Sequence, residues 1–85
     1  MSLRTDMTRL ILYGTSGCHL CEEAEAILDY CLQAASSPNR FQTVDVATNS
    51  ELMERYGLLI PVLRNDDSGN ELNWPFGPEE IRKIM

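Results

Sequence analysis

The chain begins to pattern at Arg9. RLILY (Arg9–Tyr13) is a short, nearly continuous apolar run that stops at Gly14, as expected of a strand buried on both faces. From Leu20 the apolar positions fall at Leu20, Ala24, Ile27, Leu28, Cys31, Leu32 and Ala35, a one-sided stripe over four helical turns. Thr15 or Ser16 is placed to cap the first turn. SSPN (Ser36–Asn39) ends the helix, because a residue before proline disfavours helical backbone. RFQTVDV (Arg40–Val46) alternates and is rich in β-branched residues, so it predicts a second strand.

TNSELMERYG then predicts a helix of about two turns. Thr48 and Glu51 stand in capping-box register, Leu52, Met53 and Tyr56 are apolar, and Gly57 is the terminator. LLIPVLR (Leu58–Arg64) predicts a strand interrupted by Pro61. The turn cluster NDDSGN (Asn65–Asn70) joins it to ELNW (Glu71–Trp74) as a hairpin. GPEEIRKIM closes the chain with a helix that has Pro78 at its first position, acids early and bases late, in accord with the helix dipole. The order β-α-β-α-β-β-α requires a right-handed first crossover, which makes its two strands parallel and puts helices on both faces of the sheet. Trp74 and Phe76 are expected to fill the space between hairpin and last helix.

Length and composition narrow the function classes. The 85 residues allow one domain (1–85, with 1–8 a flexible lead-in), and 44% hydrophobic with 24% charged residues is ordinary globular composition. A formal charge of −6, from 13 acids against 7 bases, provides no basic face for nucleic acid, and the apolar runs are too short to cross a bilayer. MSLRTDMTRL lacks the apolar core of a secretory signal, so a cytoplasmic location is expected. The protein is expected to be a monomer. Three cysteines are the wrong number for a disulfide scaffold.

The candidate chemistry lies in YGTSGCHLCEEAE (Tyr13–Glu25), where Cys18 and Cys21 sit three residues apart as a strand hands over to a helix. At a helix N-terminus, unpaired backbone N–H groups favour a thiolate over a thiol. Cys21, one turn on, is close enough to close a small disulfide ring. Cys18 is then the nucleophile that attacks a disulfide and Cys21 the thiol that resolves the mixed disulfide. Glu22 lies within reach of Cys18, with Glu23 and Glu25 adding negative charge. Like charge opposes the helix-end effect, so a moderately lowered Cys18 pKa is expected. His19 either modulates the thiolate or is a solvated partner of Glu22 or Glu23. Cys31 is on the apolar stripe and reads as core. A metal site within one chain is not expected: Cys31 is ten residues beyond Cys21, about 15 Å along a helix, and His19 is the only other candidate ligand. A site shared between chains and two thiols serving as small hydrophobes are the competing readings.

LILYGTSGCHLCEEAE, VDVATNSELMERYGLLIPVL and the closing GPEEI together resemble the glutaredoxin-like proteins of the thioredoxin superfamily, from about Arg9 to Ile84. The resemblance implies a thioredoxin-like α/β fold: a four-stranded mixed sheet with antiparallel central strands, three flanking helices and a cis peptide at Ile60–Pro61. It also implies a substrate groove shaped by Pro61, with the Ile60 backbone groups presented to an extended segment. Two features depart from glutathione-using members. The loop before Cys18 offers Thr15 in place of a lysine, and WPFGPEE stands where a Gly-Gly turn and polar cap are usual. The clamp for glutathione is not visible, so glutathione is at most a co-substrate, and no bound cofactor is implied. The expectation is a small dithiol oxidoreductase of cell redox homeostasis. Its partners are disulfide-bearing proteins or small thiols and a recycling reductase. The alternative is a non-catalytic thioredoxin-fold binding module, or an Fe–S or metal carrier using the Cys18 thiolate.

Overall fold

A computed structural model describes residues 9–35 and 41–85. The lead-in 1–8, Arg40 and the SSPN segment lie outside them. The elements are β1 (Leu10–Gly14), α1 (His19–Ala34), β2 (Phe41–Asp45), a 3-10 turn (Val46–Thr48), α2 (Ser50–Tyr56), β3 (Val62–Asn65), β4 (Glu71–Asn73) and α3 (Pro78–Ile84). The sheet order is β2-β1-β3-β4. β1 runs parallel to β2 and antiparallel to β3, and β3 is antiparallel to β4, so the two central strands are antiparallel as the resemblance implies.

Alternation along β1 divides the apolar residues between two faces. Leu10 and Leu12, with Leu63 of β3, pack against Ala24, Leu28, Cys31 and Leu32 of α1, Ile81 of α3 and Phe76. Tyr13, with Val62, packs on the other face against Val46 and Tyr56, joined by the half-buried Ile11, Val44, Leu52 and Ile60. Helices thus cover both faces. This arrangement of three helices around a four-stranded mixed sheet is the thioredoxin-like fold. Phe76 is buried in the first core, and Trp74 packs edge-on against it with ring centroids 5.2 Å apart.

Several local expectations are corrected. Leu20 is largely exposed: at about 100° per residue it falls on the edge of a stripe centred on Ala24, Leu28 and Leu32. The cap of α2 is Asn49, not Thr48. Asn49 Oδ1 accepts the Leu52 N–H at 3.1 Å, while the Thr48 hydroxyl donates to the Asp45 carbonyl within the preceding turn. Met53 is half exposed on the outer side of α2.

Gly57 does not stop α2 with left-handed backbone. At φ −54° it continues the turn, and the Leu59 and Ile60 N–H groups both donate to the Tyr56 carbonyl. Leu58 and Leu59 are therefore exposed turn residues, and the third strand begins only after Pro61. α3 starts at Pro78 as expected, with Gly77 as N-cap and its N–H donating to Glu80 at 2.8 Å. Ile60–Pro61 is cis, and so is Trp74–Pro75, which nothing in the sequence indicated.

Candidate functional site

β1 ends at Gly14, and Thr15, Ser16 and Gly17 carry the chain to the start of α1. Gly17 has φ 77°, a left-handed conformation that glycine adopts without the strain a Cβ would bring. Cys18 itself is the N-cap of α1, in the place expected for Thr15 or Ser16. Its Sγ accepts the Cys21 backbone N–H at 3.1 Å. One of the unpaired donors of the helix end is therefore aimed at the sulfur, the geometry that favours sulfur in its anionic form. Cys18 and Cys21 form a disulfide with Cα atoms 5.2 Å apart. Cys18 is half-buried and open to solvent on one side, whereas Cys21 is only 9% exposed.

Gly14 makes that placement possible. A Cβ on Gly14 would lie 2.8 Å from Cys21 Sγ, closer than side chains approach, so the strand end must be bare for the buried sulfur to sit against it. A glycine closing an apolar strand four residues before the first cysteine is the sequence signal for this contact.

Beside the pair lies a cavity of about 400 Å³ between the start of α1, the loop and the C-terminal half of β2. Cys18, Cys21, Glu22 and Glu25 line one side, and Thr43, Val44 and Asp45 line the other. Glu22 thus shares a cavity with Cys18, and Glu25, expected to add negative charge there, lines it too, whereas nothing in the sequence pointed to Asp45. The parallel pairing of Gly14 with Asp45, which brings β2 alongside, has no local signature in the chain. His19 points to solvent, its Nε2 3.2 Å from Glu23 Oε2, the solvated arrangement rather than the modulating one.

Cys31 is buried with its thiol directed at the Pro78 carbonyl, 3.9 Å away. Burial pushes that thiol up, against a smaller lowering by Arg82. Among the described residues no three His, Cys, Asp or Glu side chains converge on a point that could hold a metal ion.

Ile60 and Pro61 do not line this cavity. Tyr13 pairs with Val62, so continuing that register sets Pro61 opposite Gly14, the residue against which Cys21 Sγ rests. The proline and the cysteines therefore lie toward the same end of the sheet. Pro61 is fully buried and Ile60 half-buried. One part of the expectation for Ile60 does not hold. Its N–H donates to the Tyr56 carbonyl at 3.1 Å and so is already bonded within the chain.

No helix among the described residues is long and apolar enough to cross a membrane. The chain is 36% identical to a protein from X. campestris, structural genomics target XcR50, over 87% of this chain and 91% of that one, with a TM-score of 0.74. Protein Ne2328 from Nitrosomonas europaea, solved by NMR, superposes with a TM-score of 0.80 at 27% identity, covering 100% of this chain and 99% of that one. The germline-specific thioredoxin Deadhead from Drosophila melanogaster shares the fold at 20% identity, with a TM-score of 0.58 over 94% of this chain and 79% of that one. No curated protein matches the chain. The model of the Glutaredoxin-like domain (DUF836) matches residues 9–85, spanning Cys18, Cys21 and both cis prolines, and the chain belongs to that glutaredoxin-like family.

Proposed function

We propose that this protein is a small thiol–disulfide oxidoreductase of glutaredoxin-like type, working through Cys18 and Cys21. The observation that carries the reading is the Cys21 N–H held 3.1 Å from Cys18 Sγ at the N-cap of α1, with the second sulfur in bonding contact behind it. In the reduced protein the Cys18 thiolate attacks one sulfur of a partner disulfide. A mixed disulfide forms, and the first partner thiolate leaves and takes a proton from solvent. The Cys21 thiol gives up its proton, and its sulfur attacks Cys18 Sγ. The Cys18–Cys21 bond forms and the second partner thiolate is released. Two electrons pass to the partner, and an external thiol or dithiol returns them.

Pro61 shapes the groove at this end of the sheet, and the Ile60 carbonyl accepts from an extended partner backbone. No resident cofactor takes part in the exchange. Partners are disulfide-bearing proteins or small thiols, nucleic acid and membranes are not partners, and the protein acts as a monomeric single domain in cytoplasmic redox homeostasis.

The test is the Cys21→Ser variant. With no resolving thiol, a covalent mixed disulfide through Cys18 accumulates and is seen as an added mass that dithiothreitol removes. In the same variant Cys31 is kept neutral by burial, so an ultraviolet thiolate titration reports Cys18. Its midpoint is expected below that of an ordinary thiol, lowered by the helix end and held from going further by Glu22. Failure to trap any disulfide, together with a Cys18 that titrates like a free thiol, would sink the proposal.

A further inference from the structure

The cavity beside the cysteine pair carries three carboxylates, Glu22, Glu25 and Asp45, and no Lys, Arg or His lines it. Resting on the oxidoreductase reading, we infer that this cavity selects its disulfide partner by charge and favours substrates with an ammonium or guanidinium group beside the reacting sulfur.

The carboxylates come from both walls. Glu22 and Glu25 follow the cysteines along α1, and Asp45 is held at the end of β2, where its Oδ1 accepts the Ala47 N–H at 2.9 Å. Of the glutamates that follow the cysteines on α1, only Glu23, outside the set, has an ion-pair partner among the described residues, His19; Glu22, Glu25 and Asp45 have none there. The cavity therefore keeps its negative charge, and Cys18 forms part of its lining.

A field of one sign in a cleft raises the local concentration of opposite charge and repels like charge. The same field disfavours the Cys18 thiolate in the free protein, and a cation next to the incoming disulfide offsets that penalty at the moment of attack. An anionic disulfide meets repulsion at both stages. The cavity is large enough to take a small substituent next to the attacked sulfur, at the lower end of the range for ligand pockets.

The electron balance is that of the proposed reaction. The reduced protein gives two electrons to R–S–S–R, two R–SH are released, and Cys18–Cys21 is oxidised. Pre-reduced protein supplies both electrons, so a single turnover needs no other reductant. The experiment compares three small disulfides of similar size: cystamine, 2-hydroxyethyl disulfide and dithiodipropionate, cationic, neutral and anionic respectively. Rates are followed by acid quench, alkylation and mass spectrometry, and each is divided by the rate of the same disulfide with free dithiothreitol to remove intrinsic reactivity.

Normalised rates are expected to fall in the order cationic, neutral, anionic, with about tenfold or more between the ends at low salt. The spread should shrink in about 0.5 M salt, which screens charges over a few ångströms. It should also shrink in the Glu22→Gln/Glu25→Gln double variant and in Asp45→Asn. Equal normalised rates, a reversed order, or a spread that survives both salt and the variants would overturn the charge selection while leaving the dithiol chemistry standing. Reaction with none of the three would overturn both.

Discussion

Gly14 and Gly17 determine how two sulfur atoms can occupy this corner of the sheet. Gly17 turns the chain with φ 77°, which lets Cys18 start a helix within a few residues of the strand end. Gly14 removes the side chain that would collide with Cys21 Sγ. The pair is therefore asymmetric by construction: Cys18 is half-buried with its sulfur under a helix-end N–H, and the Cys21 sulfur is packed against bare backbone. Gly14→Ala tests this. Overpacking of this kind costs about 1–3 kcal/mol, read as a lower denaturant midpoint. The loss should be larger in the oxidised protein, where Cys21 is tethered to Cys18, than in the reduced protein, where its side chain can rotate away. Equal losses in both states would mean that the contact does not constrain Cys21.

Between elements, Asn65 is the main polar tie. It is the buried polar residue at the end of β3, its Oδ1 accepts the N–H groups of Asp67 and Ser68, and its Nδ2 donates to the Ile84 carbonyl at the end of α3. One side chain thus shapes the β3–β4 turn and pins the last helix. Asn65→Ala should destabilise by about 1–3 kcal/mol in chemical denaturation. Asn65→Asp, which keeps the turn acceptors but sets a carboxylate against the Ile84 carbonyl, should do no better. A fully rescued Asp variant would show that the turn alone matters. No local pattern announced this role, because NDDSGN reads as a turn whichever residue is buried. The same divide runs through the other elements. Stripes, alternation and caps placed the helices and strands along the chain, and the spacing of Cys18 and Cys21 at a strand-to-helix junction marked the candidate site, because those signals are local; the antiparallel central strands and the place of Pro61 came from the family resemblance. The cap at Asn49 depends on where α2 starts, and the exposed Leu58 and Leu59 and the bonded Ile60 N–H on where it stops, both of which are set by how the helix packs against the sheet. The cavity wall from β2 depends on a pairing between residues 31 positions apart, and nothing within either strand specifies its partner.

Across the whole molecule, the face that carries α2 is joined to the hairpin by one ionic network. Tyr56 stacks on Tyr13 with ring centroids 4.3 Å apart, and its hydroxyl donates to Glu71. Arg64 donates to Glu71 at 2.9 Å and to Asp66 at 3.1 Å. Burial pushes the Tyr56 phenol up, the bond to Glu71 and that carboxylate's charge add to it, and the pKa reaches about 12. Burial pulls the Glu71 carboxyl upward too, but the hydrogen bonds from Tyr56 and Arg64 outweigh it, so Glu71 is lowered overall. The signs give two limbs. A phenol whose folded pKa is raised stabilises fully below its unfolded value of about 10, and the contribution fades as pH rises from there to about 12. A carboxyl whose folded pKa is depressed stabilises above its unfolded value of about 4.3, and the contribution is lost as pH falls through the lower folded value. Denaturation curves across pH should therefore show a plateau bounded by an acid and an alkaline limb. Tyr56→Phe should flatten the alkaline limb, and Glu71→Gln should weaken both, since the carboxylate helps hold the phenol proton. An alkaline limb unchanged in Tyr56→Phe would place the titrating group elsewhere and remove this network from the account of how α2 is held on the sheet.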